Sequence, residues 1–298
     1  MKIGIIGAMD EELVPIRAII RNLEKVEKGN PVFWEGEAFE HEIFLTRCDP
    51  GKVNAVIATQ QMIDHFSVDA IFNMGSAGAL DPQLEVGDMV VASEFIQHDF
   101  DVTGWGLKPG EMLFDIVMSN SDGRMQFRSQ QIFHAHPRLT QLAVEIAQTA
   151  ALTPLGGHSP KIYNGRILSG DQFIGKLEKA RELWETHRGL CTDMEASAIA
   201  HACEVNQVPF LCIRAISDKA DHSAVISFTD FLAGATANYG RIFENILRQI
   251  DKNLMNLFEN LGASSAGGQE ASASSIAPHA KVTTSQEIPI HIGYNLTV

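Results

Sequence analysis

Residues 210–221, FLCIRAISDKAD, constrain this chain more than any other stretch. The run opens behind Pro209 as Phe210, Leu211, Cys212 and Ile213, then turns polar through Arg214, Ser217, Asp218, Lys219 and Asp221. A short apolar run bounded by a proline predicts a strand buried on both faces, as in parallel sheets. Ionisable groups at the end of such a strand need partners, because an unpaired buried charge is costly. In open parallel sheets, ligands bind beyond the carboxyl ends of the strands. The polar half of this stretch is therefore a candidate site.

Other segments fit the same kind of sheet. KIGIIGA (2–8), DAIFNM (69–74), VGDMVVA (86–92) and residues 161–169 each predict a strand. After the first, Asp10, Glu11 and Glu12 open a helix predicted to reach about Asn22, and acids suit its positive end. Capping accounts for Asp10 and Glu11 as readily as a site does. Glu12 sits just past a buried strand end, where a site can use it. The strand at 69–74 leads into Gly75-Ser76-Ala77-Gly78, expected as a glycine-rich turn whose amides can approach a ligand. It matches neither the GxGxxG dinucleotide fingerprint nor a Walker A loop.

Residues 30–47 predict two antiparallel strands turning near Gly36, and Asp49-Pro50-Gly51 signals a turn before a helix over 52–66. HDFDVT (98–103) reads as a polar, exposed loop or subunit contact; its His98, Asp99 and Asp101 match no established metal spacing. Residues 104–133 read as a long irregular excursion, a lid or an interface. Helices are expected over 137–151, 180–187, 193–203 and 223–248, with continuation through 253–261. In the third of these, Glu195 is an acid among alanines; it reads either as a capping carboxylate or as a ligand group.

Composition narrows the partners. The 298 residues carry a formal net charge of -14, which disfavours nucleic acid and anionic membrane. Four widely spaced cysteines with no CxxC point to a reducing, cytoplasmic setting and to no structural zinc. The N-terminal apolar run is too short for a signal peptide, and no stretch is long enough to span a membrane. Residues 1–261 read as one domain. Gly/Ser/Ala-rich 262–278 reads as a flexible linker, and 279–298 as a tail whose β-leaning part, 287–294, docks on the body or on a partner chain.

Several motifs, taken in order, resemble the nucleoside phosphorylase/hydrolase superfamily and, within it, the bacterial-type 5'-methylthioadenosine/S-adenosylhomocysteine nucleosidases. They are GIIGAMDEE (4–12), GKV (51–53), NMGSAGAL (73–80), GD (87–88), HDFDVT (98–103), SGDQFI (169–174), DMEASAIA (193–200), RAISDKAD (214–221) and SFTDF (227–231). Each alone is weak, but the ordered set across residues 1 to about 250 is specific. The resemblance implies a nucleoside phosphorylase-like α/β fold: three layers, α-β-α, around a central mixed, partly closed sheet. It also implies a homodimer, with the loop after HDFDVT reaching toward the neighbour's site, and neither cofactor nor metal.

The resemblance further implies roles. Asp218 would be the general acid to adenine N7, with Ser217 holding its carboxyl. Glu12 would orient and activate the attacking water, supported by Ser76 and Arg214. Glu195 would bind the ribose hydroxyls, with Met194 against the sugar. Phe173 would stack on adenine, and the backbone of Ile174 would read the base edge. Met9 and Phe228 would line the sugar and 5'-substituent region. Elementary chemistry agrees. Adenine leaves poorly as an anion, so a proton on N7 lowers the barrier, and an aspartate with an ordinary pKa near ~3.9 must be held protonated by its surroundings to supply it. The developing sugar cation needs negative charge and a water on its far side, the two-carboxylate division of labour of glycoside hydrolysis.

Water rather than phosphate is the expected nucleophile. Phosphate needs cationic or amide donors. The related small-subunit phosphorylases carry an arginine before the glycine loop, where this chain has Asn73, and Glu12 would repel the anion. Three departures from the family pattern stand out: Asp49-Pro50-Gly51 in place of a GIG-like turn, the length of 104–133, and the added 262–298. They leave the 5'-substituent open among methylthioadenosine, S-adenosylhomocysteine, 5'-deoxyadenosine and aminodeoxyfutalosine, with hypoxanthine-bearing futalosine as a relative's substrate. A purine nucleoside phosphorylase and a non-catalytic nucleoside-binding module are the other readings. The second predicts loss of Glu12 or Asp218, and both are present.

Overall fold

The computed structural model describes residues 1–118, 124–155, 157–220, 224–251 and 286–289. The chain runs β1 (Lys2–Gly7), α1 (Asp10–Arg17), β2 (Arg21–Val26), β3 (Phe33–Ala38), β4 (His41–Arg47), α2 (Lys52–Phe66), β5 (Ala70–Ala79), β6 (Met89–Gln97), β7 (Met112–Met118), β8 (Arg124–Gln130) and β9 (Phe133–His134). It continues through α3 (Pro137–Thr149), β10 (Ile162–Ser169), α4 (Leu177–His187), β11 (Cys191–Asp193), α5 (Ala196–Val205), β12 (Phe210–Asp218), α6 (Ala224–Gln249) and β13 (Gln286–Pro289).

The main sheet has the order β11-β10-β6-β12-β5-β1-β4-β3-β2, with β9 added beside β6. A further pairing of β11 with β5 curls one end of the sheet back on itself, so it is partly closed. Pairing is mixed: β5 runs parallel to both β1 and β12, whereas β12 meets β6 antiparallel. Every residue of β12 is buried, as its continuous apolar run requires. The pleat then sorts its side chains. Leu211, Ile213 and Ala215 face Leu13 and Ile16 of α1, Leu139 of α3 and Tyr239 and Phe243 of α6. Phe210, Cys212 and Ile216 face Ala55 and Met62 of α2 and Ala196, Ile199 and Cys203 of α5. Helices thus cover both faces, giving the expected three layers.

Several local expectations are corrected. Helix α1 ends at Arg17, not near Asn22: after Ala18 bonds the Val14 carbonyl, the amides of Ile19 and Ile20 tighten onto the carbonyls of Ile16 and Arg17. The freed residues form β2. The β3–β4 turn lies at Phe39-Glu40, with Phe39 at φ 54°, while Gly36 pairs with Ile43 in mid-strand. The GSAG segment is not a turn but the second half of β5: Gly75, Ser76, Ala77 and Gly78 all pair with β12. Pairing with β12 along the segment, and with β11 at Gly78, overrides the glycines' turn tendency. Strand β6 starts later than expected and runs to Gln97. His98 is buried rather than exposed, and the side chain of Asp99 is only 15% exposed.

Among the described residues of 104–133, strand accounts for more than half. β7 and β8 pair antiparallel, and β13 from the tail adds to the far edge of β8, from Gln286 opposite Phe127 to Pro289 opposite Arg124. This small sheet packs on a satellite cluster of Leu107, Phe127, Val102 and Leu113. So few buried positions leave little alternation for the sequence to display. The expected continuation of α6 over 253–261 and the linker 262–278 lie outside the described residues.

Phe72 is fully buried with its ring centroid 5.8 Å from that of Phe243, which joins β5 to α6. Phe72→Ala is expected to lower unfolding stability by about 3–5 kcal/mol, read from urea transitions.

Candidate active site

The carboxyl ends of β1, β5, β10, β11 and β12 come together, and several of the buried polar residues lie there. Glu12 enters from the first turn of α1, directly after β1, and is 3% exposed. Its Oε2 accepts from the amides of Ala8 (2.9 Å) and Met9 (3.2 Å). Its Oε1 accepts from the amide (2.9 Å) and hydroxyl (3.0 Å) of Ser76 on β5. Tyr239 of α6 donates to the Glu12 carbonyl at 2.7 Å, pinning the backbone as well. Gly75 leaves room for this arrangement. A methyl there would overlap Arg214 Nη1 and lie 2.8 Å from Glu12 Oε1.

Arg214 is the largest fully buried side chain and the centre of the second group. Its Nε donates to Asp193 Oδ2 at 2.7 Å, and its Nη2 lies 2.6 Å from the same oxygen and 2.6 Å from Asn73 Oδ1. Asn73 is oriented by its own bond to the Ile6 carbonyl, 2.8 Å. Asp193 also accepts a short hydrogen bond from the Ser169 hydroxyl and weaker ones from the amides of Glu195 and Ala196. Burial works against the arginine's charge, yet Asp193, Glu195 and Glu12 together hold its pKa well above the ordinary value.

Glu195 stands at the N-cap of α5, 5% exposed, with Oε2 3.9 Å from Arg214 Nη2. Its Oε1 accepts from the Gly51 amide at 3.0 Å, a bond reaching across 144 residues. Burial first, and then the Asp193 charge, push its carboxyl up to about 8, with Arg214 and the Gly51 amide opposing.

Asp218 ends β12, 3% exposed. A register shift between Ile216 and Asp218 places Ser217 in a bulge. The Ser217 hydroxyl donates to Asp218 Oδ2 at 2.9 Å, and the Ala220 amide donates to Oδ1 at 2.8 Å. Asp218 opens onto a small cleft lined by Gly78, Gln172, Phe173, Ile174, Thr192, Asp193, Met194 and itself. Phe173 is 55% exposed beside a buried Ile174, which leaves an aromatic face open at the cleft mouth.

The structure therefore links Glu12 with Ser76, and Arg214 with Asp193 and Glu195. It brings Asp218, Phe173, Ile174 and Met194 onto one cleft that Asp193 also lines, with Ser217 bonded to Asp218. Met9 is half-buried at the start of α1 and contributes its amide to Glu12. Phe228 falls within α6, but its side chain lies outside the described residues. Sequence reasoning gave no role to Asp193, Ser169 or the Gly51 amide, and used Asn73 only as an argument against phosphate. Asp193 carried a readable signal, an acid closing the short inward run GLC, as Asp218 closes its own strand. The Gly51 contact carried none. Among the described residues no group of three or more His, Cys, Asp or Glu is placed to hold a metal, and all four cysteines are buried and unbridged.

Residues 2–248 match the family model described as the phosphorylase superfamily. A 5'-methylthioadenosine/S-adenosylhomocysteine nucleosidase of Tolumonas auensis is 34% identical over 84% of this chain and 100% of its own. One from Staphylococcus haemolyticus is 33% identical over 83% and 99%. The Neisseria meningitidis nucleosidase, solved with methylthio-immucillin-A, superposes with TM-score 0.72 at 33% identity over 84% of this chain and 99% of that one. A Helicobacter pylori structure described as futalosine hydrolase gives TM-score 0.72 at 28% identity over 84% and 98%.

Because the Glu195 pKa is raised from 4.5 to about 8 in the fold, its contribution to stability is present below 4.5 and is lost as pH rises through 8. Relative to the wild type, Glu195→Gln is expected to gain thermal stability steadily from about pH 4.5 to about pH 8 and to level off above that, read as the difference in Tm.

Proposed function

The chain belongs to the phosphorylase superfamily and, within it, to the 5'-methylthioadenosine/S-adenosylhomocysteine nucleosidases, and from that premise we propose how this site works. The protein hydrolyses the N-glycosidic bond of 5'-methylthioadenosine and S-adenosylhomocysteine and releases adenine. By the same chemistry it accepts 5'-deoxyadenosine. What supports the assignment of roles is two buried carboxyl groups at strand ends: Glu12, bonded to Ser76 of β5, and Asp218, which ends β12 on the cleft that Asp193 also lines.

Adenine lies in the cleft against Phe173, its edge read by the Ile174 backbone. Asp218, steadied by Ser217, gives a proton to N7 as the bond breaks. The charge growing on the sugar is met by Glu12, and Glu195 takes the ribose hydroxyls, with Met194 against the ring. Met9 borders the sugar and the 5'-substituent. Glu12 orients the attacking water. Of its four donors only the Ser76 hydroxyl rotates, so a water can take that place without disturbing the three amides. Arg214 supports both glutamates through its buried network, with its Nε and Nη2 committed to Asp193 and Asn73.

The protein acts as a homodimer. Val53, Val56 and Ile57 form an exposed apolar strip on the outer face of α2, at the spacing of one helical face. Trp105, after the HDFDVT loop, is also exposed. No helix among the described residues is long and apolar enough to cross a membrane. Residues 1–261 form the nucleosidase unit and 262–298 an appendage, in keeping with a family match that ends at residue 248.

The test is product analysis of methylthioadenosine, S-adenosylhomocysteine, 5'-deoxyadenosine, aminodeoxyfutalosine and futalosine, each with and without phosphate. Free adenine and reducing sugar at a phosphate-indifferent rate are expected, and adenine released only with phosphate would overturn hydrolysis. Asp218→Asn should lower kcat by about 10²–10⁴-fold with substrate affinity largely kept. A chain ending at Leu261 should keep its unfolding transition and turnover while the β8 amides lose hydrogen-exchange protection, because β13 is removed.

A further inference from the structure

Glu195 is tied to a ring of contacts that the catalytic roles do not use. Helix α2 begins at Lys52, and the amides at its start are taken by carboxylates from distant loops. Gly51 N–H donates to Glu195 Oε1 at 3.0 Å, and Lys52 N–H donates to Asp171 Oδ1 at 2.7 Å. Asp171 is held in turn, because its own amide donates to Asp99 Oδ2 at 2.9 Å. The ring closes through Lys52 Nζ, which donates to Asp99 Oδ1 at 2.6 Å. The Lys52 and Asp99 side chains are 17% and 15% exposed, so this ion pair is shielded from the screening that makes surface pairs weak.

The backbone is shaped for the same end. Asp49 has φ 64° and Gly51 φ 109°, a conformation suited to glycine, and a methyl on Gly51 would lie 3.2 Å from Asp171 Oδ1. The carboxylate of Asp171 therefore packs directly on the glycine whose amide meets Glu195. A turn with two left-handed residues is held in place from outside, by loops that follow β6 and β10.

We infer that Asp171, backed by Lys52 and Asp99, is a positioning residue that holds the Gly51 amide against Glu195 and thereby sets the enzyme's selectivity for ribose over 2'-deoxyribose. The inference rests on the proposed role of Glu195 as the ligand of the ribose hydroxyls. Asp171 does not touch the substrate in this scheme. Loosening it frees Gly51, lets the Glu195 carboxyl rotate, and weakens a bond made only when the sugar hydroxyl is present.

The experiment compares kcat/KM for 5'-methylthioadenosine and for its 2'-deoxy analogue in the full-length wild type, Glu195→Gln, Asp171→Ala and Asp171→Asn. Asp171→Ala is expected to lose about tenfold of the wild-type preference for the ribose substrate, the scale of one hydrogen bond to a charged group. Its rate on the deoxy analogue should stay within about twofold of wild type, since the lost interaction needs the hydroxyl. Asp171→Asn keeps a carbonyl oxygen for the Lys52 amide and should restore most of the preference. Should Asp171→Ala fail to fold, Lys52→Met, which removes the ammonium behind Asp99, is expected to reduce the preference in the same direction. Preference lost in Glu195→Gln but intact in Asp171→Ala, or in Lys52→Met where that variant stands in, overturns the positioning role alone. Preference intact in Glu195→Gln overturns the ribose assignment on which it rests.

Discussion

The buried pair of Arg214 and Asp193 is the interaction on which the rest of this site depends. Taking both charges out of water is expensive, and their attraction offsets that expense only when geometry and remaining hydrogen bonds are good. Here the arginine meets Asp193 through two nitrogens and gives its other reach to Asn73, while Asp193 fills its second oxygen from Ser169. These partners come from β5, β10, β11 and β12, four strands brought side by side or across the closure of the sheet. A sheet that did not curl would leave β11 away from β5 and the arginine without its anion. The chemistry of the site and the closure of the sheet are thus one structural fact.

One arginine is shared among more acids than it can neutralise. Glu12 is satisfied by amides and a hydroxyl, Asp193 by the arginine itself, and Glu195 is left with one amide and a guanidinium nitrogen 3.9 Å away. Burial first, and then the Asp193 charge, raise the carboxyl of Glu195. An excess of buried acid suits a reaction whose sugar becomes cation-like, because the charge that arrives relieves the repulsion already present. It is equally unsuited to an incoming phosphate. The preference for water therefore follows from the charge count of the pocket as well as from Asn73.

Stability of the surrounding scaffold comes from the two faces of the sheet rather than from the site. Alternate residues of β12 feed separate apolar clusters beneath α6 and beneath α2 and α5. Small residues on α2 and α5 let those helices approach each other and the sheet closely. That close approach delivers the start of α2 to Glu195. The outer face of α2, with Val53, Val56 and Ile57, is one apolar part of the scaffold that the fold of one chain does not cover.

Residues 210–218 were legible because a strand buried on both faces has to be apolar throughout, and the point where that run turns polar marks the site. For the same reason Glu12, just past β1, and the acid of the small-residue helix α5 could be singled out by position. Local pattern was less informative wherever pairing competes with propensity. GSAG reads as a turn by composition but is held as strand by β12, and the hairpin of β7 and β8 shows little alternation because its core is so small. Residues 98–103 look exposed because they are polar, yet His98 is buried. The sequence by itself determined the strand-end acids, the class of sheet and the kind of chemistry, since burial and charge leave their mark at single positions. Only the tertiary structure decided which acid meets which partner. Asp193 with Arg214, Gly51 with Glu195 and Asp171 with Lys52 are contacts between segments far apart in the chain, and nothing local records a bond whose two ends are set by how the sheet closes.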